Sequence, residues 1–456
     1  MASRPDQRRK ATRPVADLFV LVPGIMGSEL RRGRRVVWGL DPRILIKQTL
    51  PFTNPLGELA LDPEALGSDE DPPIVATGLL RFPGSLPGLT SLEPYTRMES
   101  RLKKLAGNDA AYLAFPYDWR RSIADAAAKL ETAIDERVAQ LKAGRDDEVG
   151  IVLVCHSMGG LVGRYFIEVL GAHDLVKHFI TLGTPFAGSV KAMRVLATGG
   201  AIGIGPVSLF AKSIRDAAST MPGLHELMPR HPCVEISGPS DEEALRALTT
   251  AEKIELGANE ALVEQAESTF GTIEYAIRSR GGAFARHRPV VGLKQPTLNR
   301  VRNLGDTPKF LSDPVGDGTV TQASASPRGT DPAYYPQRHG ALADTEEVFT
   351  AISAIVSEES LGRPLGDEIG MDVPDVAVVG QSFDVRLIAD TDPFSTASIF
   401  DASTGHLVAQ KLTEDTSGVV SAMFVVNEPG LYRVELQGGG FSPVRENLWV
   451  IPKEAS

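Results

Sequence analysis

Continuous apolar runs alternate with amphipathic stretches through the first part of the chain. The runs that predict buried strands lie at 15–24, 111–116, 149–155, 178–182 and 289–294. The stretches with a helical period lie at 122–143, 158–170 and 348–356. Unbroken apolar strands are typical of parallel sheets, which helices cover on both faces. The pattern therefore predicts an α/β core built on a parallel sheet.

The pattern changes near residue 370. From there on, short segments alternate apolar and polar residues, and turn sequences such as ASTG, EPG and QGGG separate them. Strands spaced at roughly 8–12 residues predict a β-sandwich. We therefore expect a disordered basic N-terminus at 1–14, an α/β domain over 15–365 and an all-β, immunoglobulin-like sandwich over 370–456.

Two segments interrupt the alternation of strands and helices. Residues 40–95 are rich in Pro, Gly, Leu and acidic residues and have no sustained period. A loop of that length inside a compact domain is usually functional or disordered. Residues 187–288 are mostly helical in pattern and predict an insertion between two strands of the core.

Composition and charge narrow the classes of function. The 456 residues are 42% apolar and 23% charged, which is ordinary for a globular chain and excludes a wholly disordered one. The formal charge of −11 argues against broad nucleic-acid binding, because that affinity comes from neutralising phosphates. Two cysteines, Cys155 and Cys233, are too few for a disulfide framework or a zinc site with four cysteine ligands.

The sequence suggests no targeting or membrane-spanning segment. The apolar stretch 18–22 is too short for the core of a signal peptide and runs into Pro23-Gly24. No run approaches the roughly 20 apolar residues that span a bilayer. We expect a cytoplasmic protein whose contact with membranes is peripheral.

The segment 149–161, VGIVLVCHSMGGL, carries the strongest candidate for catalysis. Ser157 lies where a buried strand turns sharply into a helix, which is the geometry of a nucleophile elbow. The turn requires small residues two positions before and two positions after the serine. Gly159 meets the second requirement, whereas Cys155 stands where glycine is usual. The alternative is a serine that only caps the helix.

A serine hydroxyl needs a base to remove its proton, and the base needs a carboxylate to orient its ring. In sheets with this elbow the three residues follow in the order serine, acid, histidine. His339 lies in a loop before the final predicted helix, and Asp317 lies in VGDGTV between glycines that permit a tight turn. The alternatives are a surface-loop histidine and an ordinary Asp-Gly turn. Their order after Ser157 favours a triad of Ser157, Asp317 and His339.

The negative charge that develops on an acyl carbonyl oxygen must be met by backbone N–H groups. One is expected from Met158, the residue after the nucleophile. The second is expected from the loop 23–28, PGIMGS, which follows the first strand, and we assign it to Ile25. The alternative is a simple turn that ends the strand.

A set of longer motifs occurs in order between residues 15 and 360. They are VPGIMGSEL (22–30), AFPYDWR (114–120), VCHSMGGL (154–161), TLGTPFAGS (181–189), MPGLHELMP (221–229) and VGDGTV (315–320), followed by His339-Gly340. Together they resemble the lecithin:cholesterol acyltransferase family, which includes lysosomal phospholipase A2 and phospholipid:diacylglycerol acyltransferases.

The resemblance implies an α/β-hydrolase core that acts on glycerophospholipid acyl esters and passes the acyl group to water or an alcohol. It also implies a lid at 40–95 and a cap at 187–288 over the acyl pocket. The residues that match the family's triad and oxyanion positions are Ser157, Asp317, His339, Ile25 and Met158. Two features depart from the family: no cysteine is available for the disulfide near the lid, and the β-rich region after residue 370 lies outside the resemblance.

Two groups of residues could bring the protein to a lipid surface. Apolar residues in and beside the lid either enter a membrane interface or pack on the core; they are Trp38, Ile44, Leu45, Ile46, Leu50, Phe52 and the stretch 79–89. A cluster of four arginines flanks Gly33 and either attracts anionic headgroups or forms a solvated turn; it comprises Arg31, Arg32, Arg34 and Arg35.

These observations favour a serine acyl hydrolase or acyltransferase of glycerophospholipids that needs no cofactor. Two alternatives remain: a carboxylesterase or neutral-lipid lipase with the same triad, and a partner-binding effector in which the hydrolase core is secondary. The expected partners are a lipid substrate at a membrane surface and a protein bound through the C-terminal β-region. His225 and His231 lack partners at metal-ligand spacing, so no metal site is expected.

Overall fold

The computed structural model describes most of the chain and contains both predicted types of architecture. The described residues are 17–39, 57–61, 73–80, 95–142, 148–199, 207–236, 244–302, 304, 307–359, 369–374, 376–388, 395–402, 404–416, 419–438 and 443–452. The α-helices are α1 Tyr95–Ala106, α2 Ile123–Lys142, α3 Met158–Glu168, α4 Val190–Thr198, α5 Val207–Ala218, α6 Pro222–His225, α7 Thr250–Glu255, α8 Glu260–Ser279, α9 Gln322–Ala325 and α10 Glu346–Ser357. Short 3-10 helices lie at Gly57–Leu59, Asp109–Ala111 and Ala341–Ala343.

The strands before the C-terminal region are numbered along the chain. They are β1 Leu18–Val22, β2 Ser28–Arg32, β3 Arg35–Trp38, β4 Ile74–Leu79, β5 Tyr112–Ala114, β6 Ile151–His156, β7 Val176–Leu182, β8 Val234–Glu235, β9 Leu245–Arg246, β10 His287–Gly292, β11 Gln295–Arg302, β12 Lys309–Gly316 and β13 Ala333–Tyr335. Six of them form the main sheet in the order β13-β10-β7-β6-β1-β5, and every neighbouring pair is parallel. The predicted parallel sheet is therefore confirmed.

Side chains that alternate along β1 are buried in two separate layers. Leu18, Val20 and Val22 belong to one apolar cluster together with residues of α2, α3 and α8. Phe19 and Leu21 belong to a second cluster together with residues of α1 and α10. Successive side chains of a strand point to opposite faces, so an unbroken apolar strand needs cover on both. This is why LFVLV and IVLVCH, the sequences of β1 and β6, are buried at every position.

Helix α2 confirms the boundary predicted from its sequence. Ser122 Oγ accepts a hydrogen bond of 3.2 Å from the N–H of Asp125, so Ser122 caps the first turn. The fully enclosed residues recur at helical spacing and are Ile123, Ala126, Ala127, Leu130 and Ile134. Burial of this one face attaches the helix to the sheet.

The predicted insertion between β7 and β10 carries α4 to α8 and two short strands. Strands β8 and β9 join β11 and β12 in a separate four-stranded sheet. Most of the predicted lid lies outside the described residues, including Ile44, Leu45, Ile46, Leu50, Phe52 and 81–89. Trp38 is only 6% exposed, so it packs on the core.

The arginine cluster lies on a β-hairpin. Strands β2 and β3 pair in antiparallel fashion around Gly33, whose φ is 57°. Arg31 forms an ion pair with Glu29, and Arg35 forms one with Glu58. Part of the positive charge is therefore already neutralised, by Glu29 of the hairpin and by Glu58 of the 3-10 helix at Gly57–Leu59.

The C-terminal region, residues 369–452, is all β and has an apolar core of its own. Its strands are β14 Gly370–Asp372, β15 Val376–Val378, β16 Ser382–Ile388, β17 Ser395–Asp401, β18 Leu407–Leu412, β19 Glu414–Thr416, β20 Val419–Val425, β21 Gly430–Gly438 and β22 Val444–Ile451. They form a four-stranded sheet, β14-β16-β20-β19, and a five-stranded sheet, β15-β22-β21-β17-β18. We call this region the β-domain. None of the helices in the described ranges is long and apolar enough to cross a membrane.

Candidate active site

Ser157 lies in a strained turn between β6 and α3. Its φ is 51° and its ψ is −127°, a conformation that residues other than glycine rarely adopt. A Cβ atom on Gly159 would lie 2.5 Å from the carbonyl oxygen of Pro23 and 2.6 Å from that of Val22, so no side chain fits there. The strand, the left-handed serine and the glycine together form the predicted elbow.

Cys155, where glycine is usual in the elbow motif, is accommodated by a glycine further along the chain. Its side chain is fully buried. A Cβ atom on Gly163, in α3, would lie 2.9 Å from Cys155 Sγ, so the missing side chain at Gly163 leaves room for the sulfur. Burial raises the pKa of the Cys155 thiol well above its ordinary value, so the thiol stays neutral and does not compete with Ser157 as a nucleophile.

The structure brings Asp317 and His339, the two residues predicted to act as acid and base, into direct contact. Asp317 Oδ2 lies 2.7 Å from His339 Nδ1, and the Asp317 side chain is 1% exposed. The other carboxylate oxygen, Oδ1, accepts hydrogen bonds from the N–H groups of Thr319 at 2.9 Å and Val320 at 2.7 Å. These bonds keep the buried carboxylate in place, and its contact with Nδ1 fixes the orientation of the His339 ring.

Gly183, in the motif TLGTPFAGS, makes room for this pair. Its φ is 58°, and a Cβ atom there would lie 2.8 Å from Asp317 Oδ2 and 3.0 Å from His339 Nδ1. The backbone N–H of His339 also donates to the carbonyl oxygen of Asp317 at 2.8 Å. The sequence marked the motif but did not reveal this role for its glycine.

The loop at 23–28, which holds Ile25, is fixed by aromatic side chains. The N–H of Gly24 donates to Tyr95 Oη at 2.9 Å, and Tyr117 Oη donates to the carbonyl oxygen of Pro23 at 3.0 Å. Trp38 Nε1 donates to the carbonyl oxygen of Met26 at 2.9 Å. Tyr117 belongs to AFPYDWR, so that motif supports the loop that we assign to the oxyanion.

His156, the residue before the nucleophile, connects this loop to the base. Its Nε2 lies 3.0 Å from the carbonyl oxygen of His339 and its Nδ1 lies 2.8 Å from Tyr95 Oη. A carbonyl only accepts, so Nε2 carries the proton, and Nδ1 of the neutral ring accepts from the tyrosine. Burial lowers the pKa of His156 to about 3, so the ring is neutral near pH 7. The hydrogen bonds therefore run in one direction, from Gly24 through Tyr95 and His156 to His339.

Ser157, His339 and Ile25 line one cavity of about 310 Å³. Most of its wall is apolar and comes from the hairpin, α4, α5 and the segment 221–227. The main apolar wall residues are Trp38, Trp119, Val195, Ile214, Met221 and Leu224. Lys191 of α4 is the only lysine or arginine among the described lining residues. Met158 begins α3 and is fully buried beside the serine.

The segment 221–229 joins the cap to the core through buried polar groups. Glu226 Oε2 accepts a hydrogen bond of 2.7 Å from the N–H of Ile123, at the start of α2. Burial raises the pKa of Glu226 to about 7. His225 Nδ1 donates to the carbonyl oxygen of Met221 at 2.8 Å, and its Nε2 accepts from the N–H of Asn259 at 3.0 Å. Within the described ranges, no group of His, Cys, Asp and Glu is arranged to hold a metal ion.

The sequence of this chain is similar to that of known lipid-modifying proteins. The family model of lecithin:cholesterol acyltransferase matches residues 93–265. "Lecithin-cholesterol acyltransferase-like 1" of Arabidopsis thaliana is 26% identical over 175 residues, which are 34% of this chain and 40% of the relative. "Lysosomal phospholipase A and acyltransferase" of Homo sapiens is 36% identical over 90 residues, which are 18% of this chain and 20% of the relative. The chain thus spans less than half the length of these relatives.

A solved structure, the Tle4-Tli4 complex, shares the fold. It covers 75% of this chain and 98% of its own, with a TM-score of 0.50 and 14% identity. Together with the parallel sheet and the turn at Ser157, this likeness confirms the predicted α/β-hydrolase core, and the β-domain confirms the all-β C-terminal part of the prediction. The sequence matches confirm the resemblance read from the motifs: residues 93–265 are similar to the lecithin:cholesterol acyltransferase family.

Proposed function

We propose that this protein is a serine-dependent acyl hydrolase or acyltransferase of glycerophospholipids. One observation carries the proposal: Ser157, held in a left-handed turn, shares an apolar cavity with His339, whose ring is paired with Asp317 at 2.7 Å. Similarity to this family over residues 93–265 supports it, since the similar proteins include one named as a phospholipase A and acyltransferase.

In the acylation step His339 Nε2 takes the proton of Ser157 as Oγ attacks the acyl carbonyl carbon. Asp317 keeps Nδ1 protonated and stabilises the positive ring that results. The N–H groups of Ile25 and Met158 donate to the oxyanion of the tetrahedral intermediate. The intermediate collapses to an acyl-serine, and His339 returns the proton to the leaving lysolipid oxygen.

In the deacylation step water or an alcohol replaces the lysolipid. His339 takes a proton from the incoming oxygen, which attacks the acyl-serine carbonyl. Collapse of the second tetrahedral intermediate releases the acid or the new ester and returns the proton to Ser157 Oγ. The acceptor that prevails depends on access to the acyl-serine through the cavity.

The walls of the cavity suit the two parts of a phospholipid. Its apolar surface removes an acyl chain from water, at roughly 25 cal/mol per Å² of apolar area. The ammonium group of Lys191 supplies one positive charge beside that surface and suits the phosphate of the headgroup. A neutral ester would use the same apolar walls but would gain nothing from Lys191.

The test incubates purified protein with mixed vesicles of phosphatidylcholine, a sterol and diacylglycerol, and products are read by mass spectrometry. Ser157→Ala removes the nucleophile, and Ser353→Ala on α10, whose Oγ bonds only to its own helix at Phe349, serves as the matched control. We expect free fatty acid and lysolipid from the wild type and from Ser353→Ala, and none from Ser157→Ala.

Sterol ester or triacylglycerol in the same samples would identify an acyltransferase. Ser157-dependent cleavage of a short soluble ester, with no product from vesicles, would instead support a carboxylesterase. Turnover of vesicle lipids by Ser157→Ala at the wild-type rate would refute the proposed role of the serine.

A further inference from the structure

The β-domain contacts the α/β core around the residues that flank His339 and Asp317. The β-domain has its own apolar core, separate from the two apolar layers of the main sheet. Hydrogen bonds and an ion pair link the two parts. They converge on the loop that carries His339 and on the first residue of β11, which pairs with Asp317.

Arg338, the residue before His339, lies between the acid turn and the β-domain. It is 8% exposed, and its Nη1 donates to the carbonyl oxygen of Met371 in β14 at 2.9 Å. It also forms an ion pair with Glu446 of β22. A Cβ atom on Gly318 would lie 3.3 Å from Arg338 Nη2, so the guanidinium covers the turn that follows Asp317.

Two glutamines extend the same connection. Gln337 is 1% exposed, and its Nε2 donates to the carbonyl oxygen of Pro443 at 3.0 Å. Gln295, which is fully buried at the start of β11, accepts a hydrogen bond of 2.9 Å from the N–H of Met371. Gln295 also forms an isolated parallel bridge with Asp317. The β-domain is thus connected to Asp317 through Gln295, and to His339 through Gln337 and Arg338, the two residues that precede it.

We propose that the β-domain holds the acid–base pair in place, with Arg338 and Gln337 as the positioning residues through which it acts on His339. The loop between β13 and the 3-10 helix at Ala341–Ala343 has no regular structure of its own, so side-chain anchors fix its course. This role rests on the proposed function, in which His339 is the base, but its structural readout does not depend on activity.

The expected effect concerns the chemical step. A displacement of the base by about 1 Å can reduce turnover by about a hundredfold, while substrate binding in the cavity is unaffected. We expect Arg338→Met, which keeps an unbranched apolar stem and removes the guanidinium, to lower kcat on a short soluble ester by about tenfold to a hundredfold. KM should change by less than about threefold.

The matched control is Arg386→Met in β16. Arg386 is a half-exposed β-domain arginine whose ion-pair partners, Asp384 and Asp372, both belong to the β-domain. It should leave kcat within about twofold of wild type. Glu446→Gln disturbs the same contact as Arg338→Met from the β-domain side and should lower kcat in the same direction by a smaller factor. If the thermal melt shows that Arg338→Met does not fold, the kcat of Glu446→Gln tests the proposal instead.

A second readout follows the pair itself in the full-length protein. The Nδ1 proton between His339 and Asp317 should give a downfield proton NMR signal, assigned by its loss in His339→Gln. We expect this signal to weaken or shift in Arg338→Met and Glu446→Gln and to persist in Arg386→Met. A wild type with the signal but no ester turnover would refute the proposed function, and the variants would still test the role of the β-domain.

One pattern of results would overturn the proposal. If Arg338→Met and Glu446→Gln both fold, keep the His339 signal unchanged and retain kcat within about twofold of wild type, the β-domain does not position the base.

Discussion

The two sides of Ser157 are built on different principles. On one side lies the cavity, whose wall is mostly apolar and makes contacts that depend on shape. The other side is formed by Asp317, His156 and His339, whose polar atoms make directional hydrogen bonds of 2.7 to 3.0 Å. The two histidines also border the cavity. If the proposed function holds, we expect the triad side to set whether the reaction proceeds and the cavity side to set which acyl chain enters. Substitutions on the two sides should therefore change different kinetic parameters.

The strongest test of the triad side is Asp317→Asn. The amide keeps the size of the side chain, but its single oxygen is needed by the N–H groups of Thr319 and Val320. Its NH2 group then faces His339 Nδ1, which favours the wrong tautomer and leaves no negative charge to stabilise the positive ring. We expect kcat to fall by about ten-thousandfold, as loss of the acid does in other serine triads. Asp313→Asn in β12 is the matched control, since Asp313 pairs with Arg300 away from the cavity. Equal losses of kcat in both variants would contradict the specific role of Asp317.

The next effect in size is expected from Tyr95→Phe. This change removes the acceptor of the Gly24 N–H and the donor to His156 Nδ1 without altering the ring. Two buried polar groups lose their partner, which costs about 1–3 kcal/mol each. We expect kcat to fall by about tenfold to a hundredfold with little change in KM, read from initial rates on a short ester.

Tyr275→Phe provides the control for the loss of a hydroxyl, because Tyr275 is 69% exposed on α8. Its kcat and melting temperature should both match the wild type. A Tyr95→Phe protein with wild-type kcat would show that the Tyr95–His156 hydrogen bonds do not fix the oxyanion loop.

The difference between the two sides also explains what the sequence could predict. The sequence could identify Ser157, Asp317 and His339 as candidates because each lies in a local pattern. The patterns are a strand before a helix, a glycine-flanked turn, and a loop in the expected order. Tyr95 gave no signal, because it follows a stretch without a period and bonds to residues 61 and 71 positions away. The contact between Arg338 and the β-domain likewise joins residues that are distant in sequence.

The same reasoning applies to Cys155. The sequence showed a departure from the elbow motif, and only the packing against Gly163 shows how the larger side chain fits. Local patterns therefore gave the candidate reacting groups, while the contacts that support them required the fold.

On the cavity side, Ala217→Leu should change substrate choice rather than the chemical step. Ala217 lines the cavity and is 4% exposed, so the larger side chain takes up space that an acyl chain would fill. We expect kcat/KM to fall by about tenfold for long-chain esters, within the 1–3 kcal/mol typical of a methylene-sized misfit, and to stay constant for acetyl esters. Ala128→Leu on the exposed face of α2 is the control. A uniform loss across chain lengths would point to damage on the triad side instead.

A smaller effect is expected from Lys191→Gln. Removing one partly exposed charge costs about 1 kcal/mol of attraction to a phosphate, which corresponds to about fivefold. We expect kcat/KM to fall by that factor for phosphatidylcholine and to stay unchanged for a neutral ester of the same chain length. Lys129→Gln, an exposed lysine paired with Asp125 on α2, should change neither rate. An equal fall in kcat/KM on both substrates would show that Lys191 does not select the headgroup.

The smallest effect on turnover is expected from Glu226→Gln, whose main consequence is for stability. Glu226 is 1% exposed, and burial raises its pKa from 4.5 to about 7 although Arg230 lies nearby. In the unfolded chain the carboxyl group loses its proton near pH 4.5, whereas in the folded protein it keeps the proton up to about pH 7. The folded state therefore binds more protons in this interval, and its stability falls as pH rises through it. The difference corresponds to roughly 3 kcal/mol at most.

Glutamine imitates the protonated carboxyl group and still accepts from the N–H of Ile123 through its amide oxygen. Glu226→Gln should therefore match the wild type in thermal melts near pH 4.5 and exceed it near pH 8. Glu252→Gln should show the opposite trend, because the hydrogen bond from Arg246 lowers the pKa of Glu252 to about 2. Its loss of stability should be visible near pH 7 and vanish as the pH approaches 2. The melting temperature of Glu226→Gln could instead differ from that of the wild type by the same amount at every pH. The carboxyl group would then not change its protonation on folding, and the contact between cap and core would not depend on pH.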